Sequence, residues 1–171
     1  MELMLAALLE RVETLEHVRA IEDLKARYWS LMDRMQLDDV RECFVAEGAI
    51  VDFQGVPYCD DRDKFLSIVR EQGGRPGVHN AHHGQNPRIA ITGRDTASGV
   101  WDVYFSSIDV PNRITIQMTG GYDDRYVLKD GRWLIRSTQF RQSSFLMQKI
   151  DEAGQPAIIS LGEQDLHAFR Q

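Results

Sequence analysis

Cysteine is scarce in this chain, and its two examples, Cys43 and Cys59, fall in no CxxC pair or other metal-ligand spacing. That excludes a disulfide framework and a zinc-stapled fold. Both read as reduced thiols of a cytoplasmic protein, with a single bridge between them as the other reading. Long apolar runs are missing as well: no stretch approaches the roughly 18 consecutive apolar residues that a membrane span needs. The N-terminus opens on Glu2 rather than a basic segment and has no small-residue cleavage pattern, so no secretory leader is expected. Positive charge is in deficit, with 20 Lys and Arg against 26 Asp and Glu and a net charge of −6. No basic stripe with interleaved aromatics offsets it, which argues against nucleic-acid partners. What is present is 171 residues, 43% of them apolar, enough for one domain that buries roughly 70% of its unfolded surface. Its expected partner is a small molecule.

The first third of the sequence has helical periodicity. Leu5, Leu8, Val12 and Leu15 form one stripe, and Val18, Ile21, Leu24, Tyr28 and Leu31 continue it at a changed phase, which predicts a bend near His17 or Val18. Residues 1–16 thus read as an extra N-terminal helix with a narrow apolar seam suited to another helix, including one from a neighbouring subunit. A short helix is expected over 38–44, a strand over 49–53, and a helix over 61–71 capped by Asp60. From Gly73 the pattern becomes strand-like: 78–83, 88–92, 97–108, 113–128 and 132–142, with turn residues at Pro111-Asn112 and Asp130-Gly131. Gly120-Gly121 in mid-strand predicts a bulge or sharp curl. Beyond Ser143 a brief helical turn is expected. Residues 144–171 form a C-terminal extension, read either as a cover for a pocket mouth or as a loose tail. The whole is an α+β fold, with N-terminal helices packed on a strongly curved antiparallel sheet.

Four proton-handling side chains interrupt these apolar patterns: Tyr28, Asp33, His82 and Arg141. Eliminating a leaving group beside a carbonyl needs a base to take a proton from carbon and an acid to assist the departing oxygen. Histidine can do both near neutral pH. Asp33 would fix the tautomer of His82, while Tyr28 and Arg141 would donate to an enolate oxygen or bind a carboxylate. Tyr28 and Asp33 are five residues apart, about 140° around an ideal helix, so both reach one pocket only near the helix end. Arg141 shares strand parity with Trp133 and Ile135 and is expected to face inward with them. Each of the four has a structural reading too: a core tyrosine, an exposed charge, a hydrogen-bonded strand histidine and a surface arginine. Trp101, Val103, Phe105, Met118 and Trp133 are the expected apolar lining of the pocket. No metal is expected, because His79, His82 and His83 follow a glycine-rich turn with no helix to align their rings. Asp60, Asp61 and Asp63 lack the glycine and glutamate of a calcium loop and suit a helix N-terminus instead.

The segments "AIEDLKARYWSLMDRMQLDDVRECF", "HHGQNPRIAIT", "GVWDVYF" and "GGYDDRYVLKDGRWLIRSTQFRQ" resemble the SnoaL-like branch of the NTF2-like superfamily over roughly residues 15–145. Within it they are most similar to the bile acid 7α-dehydratases and more distantly to scytalone dehydratase. The resemblance implies an NTF2-like cone and matches Tyr28, Asp33, His82 and Arg141 to the dehydratases' tyrosine, aspartate, histidine and arginine. It departs at Phe105, where the bile acid enzymes carry an acidic residue. The implied activity is a cofactor-independent, dehydratase-type lyase acting on a hydrophobic, steroid-like or polycyclic carbonyl substrate. The superfamily also contains isomerases, cyclases and non-catalytic binding proteins, and its members suggest a homo-oligomer, trimer or dimer.

Overall fold

The computed structural model describes residues 1–73 and 75–162. Helices α1 (Glu2–Asp33), α2 (Leu37–Arg41) and α3 (Arg62–Gly73) alternate with β1 (Ile50–Phe53) before four long strands: β2 (Val78–Gly93), β3 (Thr96–Asp109), β4 (Ile114–Lys129) and β5 (Arg132–Ile150). The last described strand is β6 (Pro156–Gly162). The sheet order is β1-β5-β4-β3-β2, with β6 paired to the outer part of β5. Strands β2 to β5 form an antiparallel meander. Because β1 runs parallel to β5, the sheet is mixed rather than wholly antiparallel. Among the described residues no helix is long and apolar enough to cross a membrane.

Local chemistry accounts for most of the boundaries. Asp130 and Gly131, both at positive φ, close β4 onto β5 in the two-residue turn whose twist suits a hairpin. Asp61, not Asp60, caps α3: its Oδ1 accepts the amides of Asp63 and Lys64 at 2.7 and 3.0 Å.

Three expectations are corrected. α1 is one unbroken helix that runs through His17 and Val18, rather than two helices. The change of phase instead marks a change of partner: residues 1–16 stand exposed, and the core-facing stripe begins only at Ile21. The segments 78–83 and 88–92 are one strand, β2, carrying a register shift between Gln85 and Arg88. The helical turn predicted beyond Ser143 is absent among the described residues. β5 continues to Ile150, because residues 145–150 hydrogen-bond to β4 on one side and β6 on the other. The idea that the tail covers a pocket falls largely on residues 163–171, outside the described residues.

β5 also carries two extra residues relative to β4. Arg125 pairs with Ser137 and Tyr126 with Ile135, leaving Arg136 unpaired; Thr119 pairs with Ser144 and Gly120 with Gln142, leaving Ser143 unpaired. Such bulges bend a strand and increase its twist, which curls the sheet around α1. They also reverse the in/out alternation, so Ile135 faces inward before the first bulge, and Thr138 and Phe140 face inward after it. The core lies between α1 and this concave face. Ile21 and Tyr28 of α1 are buried there with Phe44, Phe65, Tyr126 and Ile135. Cys43 and Cys59 are free and buried, and burial pushes the Cys43 thiol up to about 11, which leaves it chemically inert.

Candidate active site

Asp33 is the last residue of α1, and His82 lies on β2, the edge strand of the meander. An edge strand presents backbone N–H groups with no neighbouring strand. Here the His82 amide donates to Asp33 Oδ2 at 3.0 Å, while Asp33 Oδ1 sits 2.6 Å from His82 Nδ1. One carboxylate therefore holds both the backbone and the ring of the same histidine. A carboxylate accepts only, so Nδ1 carries the proton, and in the neutral ring the lone pair is on Nε2. The side chains are mostly buried, at 16% exposure for His82 and 21% for Asp33. The Phe105 ring, 4.7 Å from the imidazole centroid at a 54° tilt, fixes its other side. Asp102 lies on the outer face, bonded to Asn86 at 2.8 Å.

The pair borders a cleft of about 740 Å³ between α1 and β2. Its inner wall is built from Trp29, Ser30, Gly84 and Trp101, and its outer rim carries Arg19, Glu22 and Asp23. Trp29 and Trp101 meet edge to face at 5.4 Å. The rim makes the cleft more polar than the apolar chamber expected from the aromatic content. Gly84 has no alternative here: a Cβ at this position would lie 1.8 Å from the Trp29 ring. Gly84→Ala should therefore destabilise the fold by about 1–3 kcal/mol. It should also displace Trp29, which a lower Tm and altered tryptophan fluorescence would report.

The remaining expected site residues are dispersed. Tyr28 is buried against Phe44, with ring centroids 5.7 Å apart. Burial, followed by the neighbouring Tyr122 and Asp124, pushes its hydroxyl well above the usual tyrosine range. Tyr28 does not border the cleft. Arg141 points outward, because the extra residue at Arg136 reverses the parity on which its inward placement rested. It binds Asp52 instead, at 2.5 Å to Oδ2 and 2.9 Å to the carbonyl, and holds that carboxyl below the ordinary range. Trp133 donates to His17 Nδ1 at 3.1 Å near the start of the core-facing part of α1. Trp101 lines the cleft, Phe105 touches His82, and Val103 and Met118 share the inner face with them.

The sequence reading passed over Trp29, Gly84 and a buried ion pair. Lys25 Nζ lies 2.7 Å from Asp124 Oδ2, with both side chains at 0% exposure. Tyr126 donates to the same carboxylate oxygen at 2.7 Å, and Trp101 donates to the Tyr126 hydroxyl at 3.0 Å. The ammonium also sits 3.9 Å from the centre of the Tyr122 ring. Desolvation lowers the Lys25 pKa, and Asp124 works against that shift. A signal was available: Lys25 falls between Ile21 and Tyr28 on the core stripe, and Asp124 between Tyr122 and Tyr126 on inward strand parity.

The sequence profile of the SnoaL-like domain matches residues 13–139. Among solved structures, a scytalone dehydratase-like protein from Novosphingobium aromaticivorans superposes with a TM-score of 0.70 at 20% identity, covering 88% of this chain and 94% of that one. A hexachlorocyclohexane dehydrochlorinase, LinA type 2, gives 0.71 at 18% identity over 91% and 98%. The LinA-type 3 dehydrochlorinase from Novosphingobium barchaimii gives 0.69 at 20% identity over 86% and 94%.

Proposed function

The chain belongs to the SnoaL-like family, and on that premise we propose that it is a cofactor-independent lyase in which Asp33 and His82 transfer a proton on a cyclic carbonyl substrate. The observation that carries this reading is the contact of Asp33 with both the ring and the backbone of His82 beside an open cleft. His82 Nε2 takes the proton from the carbon next to the carbonyl. The C–H electrons form the new double bond as the C–O or C–halogen bond on the neighbouring carbon breaks. For a hydroxyl leaving group the imidazolium returns its proton and water departs; a halide departs as the anion and the imidazolium then gives its proton to solvent. Asp33 stabilises the imidazolium while it exists and holds Nε2 toward the substrate. The fold is shared with a dehydratase-like protein and with dehydrochlorinases, and β-elimination is a chemistry common to both names.

Trp29 and Trp101 suit the flat apolar body of a fused-ring ketone, and the charged rim suits a polar substituent projecting from it. Tyr28 and Arg141 have no direct part in this scheme, the first enclosed in the core and the second paired outward with Asp52. The test is to incubate the protein with a panel of cyclic β-hydroxy and β-halo ketones, following the conjugated enone by ultraviolet absorbance and the released leaving group. Enone formation supports the lyase. Binding without conversion across the panel would favour a carrier of hydrophobic molecules, and double-bond migration without loss of a group would favour an isomerase.

A further inference from the structure

Helix α1 stands clear of the body over its first half, and its apolar side chains there are bare. Leu5, Leu8, Val12 and Leu15 are 56, 53, 43 and 67% exposed, and Met4 and Leu9 are 76 and 60% exposed. A monomer rarely leaves so dense an apolar stripe in water. The steps between Leu5, Leu8, Val12 and Leu15 are three, four and three, the a/d spacing of a coiled coil. The next two positions on this side of the helix, Arg19 and Glu22, are charged and turn to the cleft, so the seam ends at Leu15. Just beyond it, His17 is fastened to Trp133, which anchors the helix where it joins the body.

We propose that residues 4–16 of α1 pair in parallel with the same segment of a second copy of this chain, forming a two-stranded coiled coil. The flanking positions specify both partner and direction. With Leu5 and Val12 at a and with Leu8 and Leu15 at d, position g of one strand meets position e of the following heptad on the other. Those pairs are Met4 with Leu9, both apolar, and Arg11 with Glu16, of opposite charge. Both occur twice by symmetry. An antiparallel pairing of the same seam would instead bring Glu16 near Glu2 and Arg11 near Arg11. Of the two a positions Val12 is β-branched, and with Leu8 and Leu15 at d it favours two strands over three. Two heptads are short for a free peptide, but this segment extends a helix already nucleated and held by the body. The ordering cost that limits short helices is therefore largely met before association.

Sedimentation or light scattering on the full chain at tens of micromolar tests the proposal. The wild-type particle should have twice the mass of the Leu8→Glu/Val12→Glu variant. That variant should keep the wild-type far-UV circular dichroism of the body, since both positions face solvent in the monomer. Glu16→Arg should weaken association at least tenfold, and adding Arg11→Glu should restore it. Val12→Cys should cross-link to its own copy under mild oxidation, because only a parallel in-register pair places position 12 against itself. A monomeric wild type, an unchanged mass in the seam variant, a trimeric mass ratio or no cross-link at position 12 would each overturn the proposal.

Discussion

Replacing Asp33 by asparagine should lower kcat/KM by roughly 10²–10⁴-fold while leaving the fold intact. The reason is hydrogen-bond parity. Asp33 accepts twice from His82, once from the backbone amide and once from Nδ1. An asparagine in the same place has one acceptor and one donor. If its oxygen keeps the backbone N–H, its NH₂ faces Nδ1 and the ring must take the Nε2–H tautomer, which has no lone pair on the side of the substrate. If the amide flips, two N–H groups confront each other at the backbone and the edge strand loses its anchor. His82→Gln should be at least as damaging, because it removes the base itself. The two changes together should be no worse than the more severe of them alone, since a pair that acts as a unit is not additive. The measurement is turnover on whichever ketone the panel identifies, with circular dichroism confirming the fold. Nitrogen-15 NMR of the wild-type imidazole should show the proton on Nδ1. Retention of more than about a tenth of wild-type turnover by Asp33→Asn would remove the dyad from the mechanism, being far short of the loss a wrong tautomer causes.

Asp33 and His82 were picked out by residue chemistry and by the resemblance to the dehydratases; local pattern alone fits an exposed charge and a hydrogen-bonded strand histidine equally well. Asp33 is the last residue of α1 and His82 lies inside β2, which starts at Val78, so their meeting is a tertiary contact between residues 49 positions apart. The lasting errors come from features with no local signature. The inward placement of Arg141 rested on strict alternation along one strand. The residues added at Arg136 and Ser143 show only when β5 is laid against β4, and each one reverses every side chain beyond it. The break predicted in α1 was a true change in periodicity, misassigned to backbone geometry when its cause is solvent on one half of the helix and the sheet on the other. The helical turn expected after Ser143 was overridden by pairing on both edges of β5, a tertiary effect. Trp133 carries the right chemistry for a lining role and Tyr28 for a donor, but aromatic character does not distinguish a cavity wall from a filled core.

The largest expected effect on stability belongs to Asp124. Asp124→Ala should cost about 3–5 kcal/mol, the usual penalty for leaving one member of a buried ion pair without its partner. Lys25 would keep only the faces of Tyr122, Tyr28 and Trp29 around its ammonium, and Tyr126 would lose the acceptor for its hydroxyl. Ring faces offer a cation about 2 kcal/mol when desolvated, less than a carboxylate in contact. The variant lysine should therefore sit further below the ordinary value of 10.5 than burial already places it. The sign of the pH dependence follows. Between the lowered folded value and 10.5 the unfolded chain binds more protons than the folded one, so the stability of Asp124→Ala should rise with pH across that window and fall as the solution is acidified through it. Lys25→Met/Asp124→Leu, which removes both charges and keeps the volume, should recover most of the loss. Urea unfolding of Lys25→Met, Asp124→Leu and the double variant gives the coupling energy, and a value below about 1 kcal/mol would show that the pair contributes no more than a surface contact. The same measurement bears on the site. Lys25 pins α1 to β4 about two turns before Asp33, so Asp124→Ala should lose turnover at temperatures well below its own Tm, as the helix end that positions the carboxylate loosens first. Lys25→Met/Asp124→Leu, with the helix seated again, should regain turnover along with stability.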